Sequence, residues 1–133
     1  DWIKKVRNDV PDAPVLVTAG GLLHYFEENK VISLLRMIGQ SGNMEVVFDT
    51  VNKKGMAMMQ KKYMKQVGHA DAQMFFYVDA AKELAAKIRG NVKVIAEEPY
   101  YRYIPKNGLK LSTKVSMAVS DQFKMVKMIH LKL

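Results

Sequence analysis

The chain has 133 residues, 49% hydrophobic and 26% charged, which is the make-up of one ordinary globular domain able to bury a core. It has no cysteine, which excludes disulfides, thiolate metal sites and cysteine nucleophiles, and no apolar run approaches the length of a bilayer span. Lysine and arginine number 21 against 13 acids, a net charge of +8 that suits nucleic acid or an anionic surface.

The lysines are nevertheless spread along the whole chain. Their densest group, Lys53, Lys54, Lys61, Lys62 and Lys65, falls on a predicted helix. A solvated helical face is the favoured reading over a nucleic-acid patch. His24, His69 and His130 lie far apart and show no metal-ligand spacing. The sequence opens on Asp1 and Trp2 without a basic-then-apolar leader, so a cytoplasmic piece of a longer chain is expected.

In chain order, residues 1–8 read as a short helix end, and the two prolines of residues 10–14 set a turn. PVLVTA, residues 14–19, is a short β-branched run stopped by Gly20 and Gly21, and it reads as a strand buried on both faces. Val31, Leu34, Leu35 and Ile38 recur at helical spacing over residues 27–39, with Glu27 and Glu28 in the first turn and Gly39 and Gly42 bracketing the end. MEVVFD, residues 44–49, predicts a second strand. Residues 54–67 predict a helix with Met56, Met59, Tyr63 and Val67 on one face. The next helix is expected to start near Asp79 as N-cap, with Ala81, Leu84, Ala85 and Ile88 as its apolar stripe. Residues 92–98 predict a third strand, residues 111–123 a helix, and VKMIHLKL a fourth strand. This alternation argues an α/β unit with a mainly parallel sheet and helices on both faces.

Pro14, VLVTA, Gly20, Gly21, Leu22, Leu23, His24, Tyr25, Phe26, Glu27 and Glu28, followed by VVFD ending in Asp49, form the most informative stretch. It resembles the fourth strand and following helix of the leucine carboxyl methyltransferase family, in its tetracenomycin polyketide synthesis O-methyltransferase-like branch. The opening Asp1 and Trp2 and the closing MIHLKL are also similar to that family, so the resemblance runs over nearly the whole chain. It departs at Gly20, where many relatives carry Glu, so a carboxylate role does not carry over there.

The resemblance implies residues 1–133 to be the C-terminal half of a Rossmann-like S-adenosylmethionine-dependent methyltransferase domain. It implies strands four to seven, with the last strand antiparallel and inserted, in the order 14–19, 44–49, 126–132, 92–98. The glycine-rich loop and ribose-binding acid of such enzymes would belong to an absent N-terminal half. The implied activity is O-methylation of a small-molecule acceptor, a polyketide-like phenol or carboxylate, by the full-length protein. Ala19, Gly20, Gly21 and Leu22 would line the cofactor. His24 is the candidate general base, with a plain loop histidine as the other reading. Tyr25, Asp49 and Tyr101 would touch the acceptor, or pack the loop and cap a turn. Two other classes stay open. One is an interaction domain that self-associates through the exposed edge of strand 14–19. The other is a basic nucleic-acid-binding module. No membrane partner is expected.

Overall fold

The computed structural model describes residues 1–67 and 73–133. His69 therefore lies outside the described residues, as do the side chains of Tyr63, Met64 and Val67. The elements follow one another as α1 (Trp2–Asp9), β1 (Val15–Ala19), a single 3-10 turn (Leu23–Tyr25), α2 (Glu28–Gln40), β2 (Met44–Val51), α3 (Lys53–Val67), α4 (Ala81–Ile88), β3 (Lys93–Pro99), α5 (Leu111–Gln122) and β4 (Val126–Lys132).

The four strands form one sheet in the order β1-β2-β4-β3. β1 pairs parallel to β2, while β4 pairs antiparallel to both β2 and β3. Three strands thus share a direction and β4 is wedged against it. The order and the inserted last strand match expectation. The sheet is mixed rather than mainly parallel in its pairings, because the reversed strand occupies an interior position and so contributes two of the three ladders.

Strand alternation sorts the side chains into two faces. Val17 and Ala19 of β1, Val46 and Phe48 of β2, and Ile129 and Leu131 of β4 point into the main core. There they meet Val31 and Leu35 of α2 and Ala81, Leu84 and Ile88 of α4. α1 adds Ile3 against Ile38 and Met44 on the same side. Helices were expected on both faces. They occur on both: α1, α2 and α4 share the face of the main core, while on the other Met56 of α3 packs with Val51 and Val126, at the end of β2 and the start of β4 and away from β1. β1 is accordingly not buried on both faces: Leu16 is 56% exposed and Thr18 is exposed. Further along this open face, Glu45 of β2 meets His130 of β4 at 2.7 Å.

Local chemistry explains the element ends. The Asp1 carboxylate accepts from the amides of Ile3 and Lys4 and so caps α1. Arg7, in the last turn of α1, donates to the carbonyls of Val10, Ala13, Ser41, Gly42 and Asn43. One guanidinium fork thereby ties the proline turn to the α2–β2 connection. Gly39 does not end α2, which runs on to Gln40; its missing side chain admits Leu133, whose Cβ would lie 3.2 Å from an added methyl.

Asp79 does not cap α4. Its carboxylate accepts from the amide of Lys53 at the start of α3, and Ala80 holds the N-cap position of α4 without a side-chain bond. The α4 amide of Ala81 is taken by Glu97 of β3 instead. Glu97 also receives Lys127 Nζ at 2.7 Å, and Lys127 donates again to the Asp79 carbonyl. Lys127 is only 1% exposed, so this ion pair anchors α4 and the Asp79 turn to the two adjoining strands. The methionines of α3 divide: Met56 is buried, while Met58 and Met59 are 61% and 40% exposed. Among the described residues no helix is long and apolar enough to cross a membrane.

Candidate functional site

β1 and β2 end side by side at the carboxyl edge of the sheet, where α/β folds bind ligands. Ala19 pairs with Phe48, which brings Asp49 level with the turn that follows β1. Gly21 sits at φ +62°, a conformation that favours glycine. Its amide donates to the Asp49 carboxylate at 2.7 Å. A side chain added at Gly20 or Gly21 would meet nothing within 4 Å, so the backbone here is open to close approach. Asp49 was expected to end β2. The strand runs on to Val51, and the Asp49 side chain holds the preceding glycine turn across the sheet edge.

The chain then enters the 3-10 turn. Leu22 stays 48% exposed while Leu23 drops into the main core. His24 is 9% exposed. Burial pushes its imidazole below the ordinary histidine range, and the nearby Asp49 carboxylate partly opposes that. At neutral pH the ring is therefore uncharged and able to accept a proton. Its ring lies 4.3 Å from that of Tyr25, tilted by 54°. Tyr25 and Phe26 face outward.

The His24 carbonyl accepts from the amides of Phe75 and Phe76. This joins the turn to residues 73–78, an extended segment that the sequence reading passed over. Its alternation is regular. Met74, Phe76 and Val78 are buried, while Phe75 and Tyr77 are exposed. Phe75, Tyr77 and Asp79 then line a cavity of about 300 Å³ with Glu83, Glu28 and Lys87, the last two paired at 2.7 Å. The signal that could have revealed the segment was the period-2 pattern of MFFYV, which marks a half-buried extended stretch.

Ala19, Gly20, Gly21, Leu22, His24, Tyr25 and Asp49 thus gather at one corner of the sheet. Tyr101 does not join them. It follows β3, the opposite edge strand, about 14 Å away across three strand spacings. There its amide donates to Asp121 of α5, and Tyr100 packs edge-on against its ring at 5.1 Å. No cluster of potential metal ligands occurs among the described residues.

These features define an α/β sheet unit with an open glycine turn at its carboxyl end. No family model and no curated protein matches the sequence. The fold is similar to the crystal structure of a DUF574 family protein from Streptomyces avermitilis MA-4680, with a TM-score of 0.58 and 10% sequence identity. The match covers 99% of this chain and 52% of that one, so the chain spans about half the length of its structural neighbour. At that identity the likeness speaks to the α/β fold.

Proposed function

We propose that this chain is the C-terminal half of a cytoplasmic, Rossmann-like S-adenosylmethionine-dependent O-methyltransferase that acts on a small molecule such as a polyketide-like phenol or carboxylate. The observation that carries the reading is the Gly20–Gly21 turn, which is held open by Asp49 at the carboxyl end of an edge strand. The reversed β4 between β2 and β3 and the half-length match to a larger α/β protein support it.

The residues present fit one wall of a cofactor site. Space stands over Gly20 and Gly21, and the backbone from Ala19 to Leu22 borders it. When bound, S-adenosylmethionine supplies an electrophilic methyl group. The chain's own contribution is placement and proton handling. His24, uncharged near neutrality, takes the acceptor hydroxyl proton. Asp49 sits close enough to favour the resulting imidazolium. Tyr25 offers an exposed aromatic face to the acceptor. Tyr101, far across the sheet edge, contributes only if the acceptor is long.

A second reading, a non-catalytic domain that self-associates, draws on the bare outer edge and exposed Leu16 of β1. Titration calorimetry with S-adenosylmethionine separates the two. The full-length protein, with the strands that would precede β1, is expected to bind one cofactor per chain, and this chain alone to bind negligibly, since half a site leaves little to offset the entropy of association. Tight binding by this chain alone, or none by the full-length protein, overturns the assignment.

A further inference from the structure

We propose that the groove between α3 and α5 is a docking site for an acidic amphipathic helix of a partner protein, independently of the methyltransferase reading. Gly55, Met58 and Met59 of α3 face Val115 and Val119 of α5 across a recess of about 350 Å³, with Met125 completing its apolar lining. The lining is unusually wet for its composition: Met58, Met59, Val115 and Val119 are all 40–61% exposed, and Leu111 extends the row at 77%. Leu111, Val115 and Val119 recur every fourth residue along α5, so they form one continuous stripe.

Charge complementarity identifies the occupant. α3 carries Lys53, Lys54, Lys61, Lys62 and Lys65 and no acid. Lys62 itself lines the groove. Lys110 and Lys114 lie at the start of α5 and Lys124 just beyond its end, all of them exposed. The sole acid of α5 is Asp121, whose carboxylate is engaged by the Tyr101 amide. An apolar floor bordered by Lys62, Ser116 and Ser120, on two helices whose charged side chains are lysines apart from Asp121, matches a ligand that is apolar along one stripe and anionic on its flanks. The floor argues against nucleic acid, whose recognition needs phosphate and base contacts rather than methionine and valine. The concave shape between two helices receives side chains that project from a third helix, whereas a flat bilayer surface leaves it unfilled. Methionine, with its adaptable side chain, suits such a groove. α5 is about 18 Å long, which matches a partner helix of roughly three turns.

The test is fluorescence anisotropy with a labelled, stapled helical peptide that has leucines along one stripe and glutamates beside them. A second peptide replaces every glutamate by lysine. The acidic peptide is expected to bind saturably, more weakly as salt rises, and at least about tenfold more tightly than the lysine peptide. Lys62→Glu should raise Kd roughly fivefold, and Lys62→Gln should raise it by less. Lys62 is exposed, so circular dichroism should show the fold unchanged. Equal affinity for the two peptides, or no response to either substitution in folded protein, overturns the proposal. So does preference for phosphatidylserine vesicles or a DNA duplex over the acidic peptide. Loss of peptide binding in the full-length protein would also overturn it, by making the groove an internal interface.

Discussion

The Asp49 carboxylate receives the Gly21 amide at 2.7 Å and also raises the proton affinity of His24 against the effect of burial. One side chain on β2 therefore governs both the backbone and the titration of the β1 corner. Asp49→Asn keeps an oxygen acceptor but removes the charge. The His24 pKa is then expected to fall further below the ordinary histidine value, as read by NMR titration of the imidazole. An unchanged or higher value would show the two residues to be uncoupled. Asp49→Ala, which also releases the Gly21 amide, should cost about 1 kcal/mol of stability in urea denaturation.

His24 also sets a pH dependence of folding. Its folded-state pKa lies below the unfolded value of 6.5. The unfolded chain therefore binds more protons as the solution is acidified through that value, and the native state loses stability. The contribution is fully present above pH 6.5 and is lost as pH falls through the folded pKa. Urea midpoints measured from pH 7 to pH 5 should fall more steeply for the native sequence than for His24→Asn. Parallel curves would contradict this.

Gly55 stands where α3 crosses the chain entering β4. A methyl group there would press on the Met125 carbonyl and lie 3.3 Å from Asn52 Oδ1, the oxygen that caps the Gly55 amide. Backbone cannot swing aside as a side chain can, so Gly55→Ala is expected to destabilise the fold by roughly 1–3 kcal/mol. A thermal midpoint equal to that of the parent would show the contact to be slack.

The outer edge of β1 predicts self-association of this chain. Leu16, the second residue of the strand, is 56% exposed on its open face. Sedimentation velocity should show a dimer or larger species whose population drops in Leu16→Lys, since an edge lysine resists strand pairing. A chain that stays monomeric at high concentration would remove this prediction.

In the full-length protein, His24→Ala should lower turnover more than cofactor affinity. Equal turnover would remove His24 from proton transfer.

Much of this architecture was readable because it rests on local patterns. Val31, Leu35 and Ile38 mark the buried stripe of α2 by spacing alone, and Ala81, Leu84 and Ile88 do the same for α4. The strand order came from the family resemblance, which no periodicity supplies. What escaped depends on partners distant in sequence. Asp79 looks like the cap of the helix it precedes, but its carboxylate serves Lys53, 26 positions earlier. Asp49 looks like a strand end, but it is fastened to Gly21, 28 positions back. The extended segment at residues 73–78 runs up to the helix expected from Asp79, but its place beside His24 is set by two backbone hydrogen bonds that no side-chain pattern announces.

The position of β4 has a consequence for how the chain is made. Synthesis proceeds from the N-terminus, so β1 and β2 can pair early, while β3 emerges with no neighbour to receive it. Only when Val126–Lys132 clears the ribosome does the strand arrive that joins β3 to β2 and brings Ile129 and Leu131 into the core. Until then the apolar faces of α4 and β2 wait for their last wall, a window in which a nascent chain is exposed to aggregation and to chaperone capture. A ribosome stalled before codon 126 should therefore display a protease-sensitive chain, and one stalled well beyond the end a resistant one.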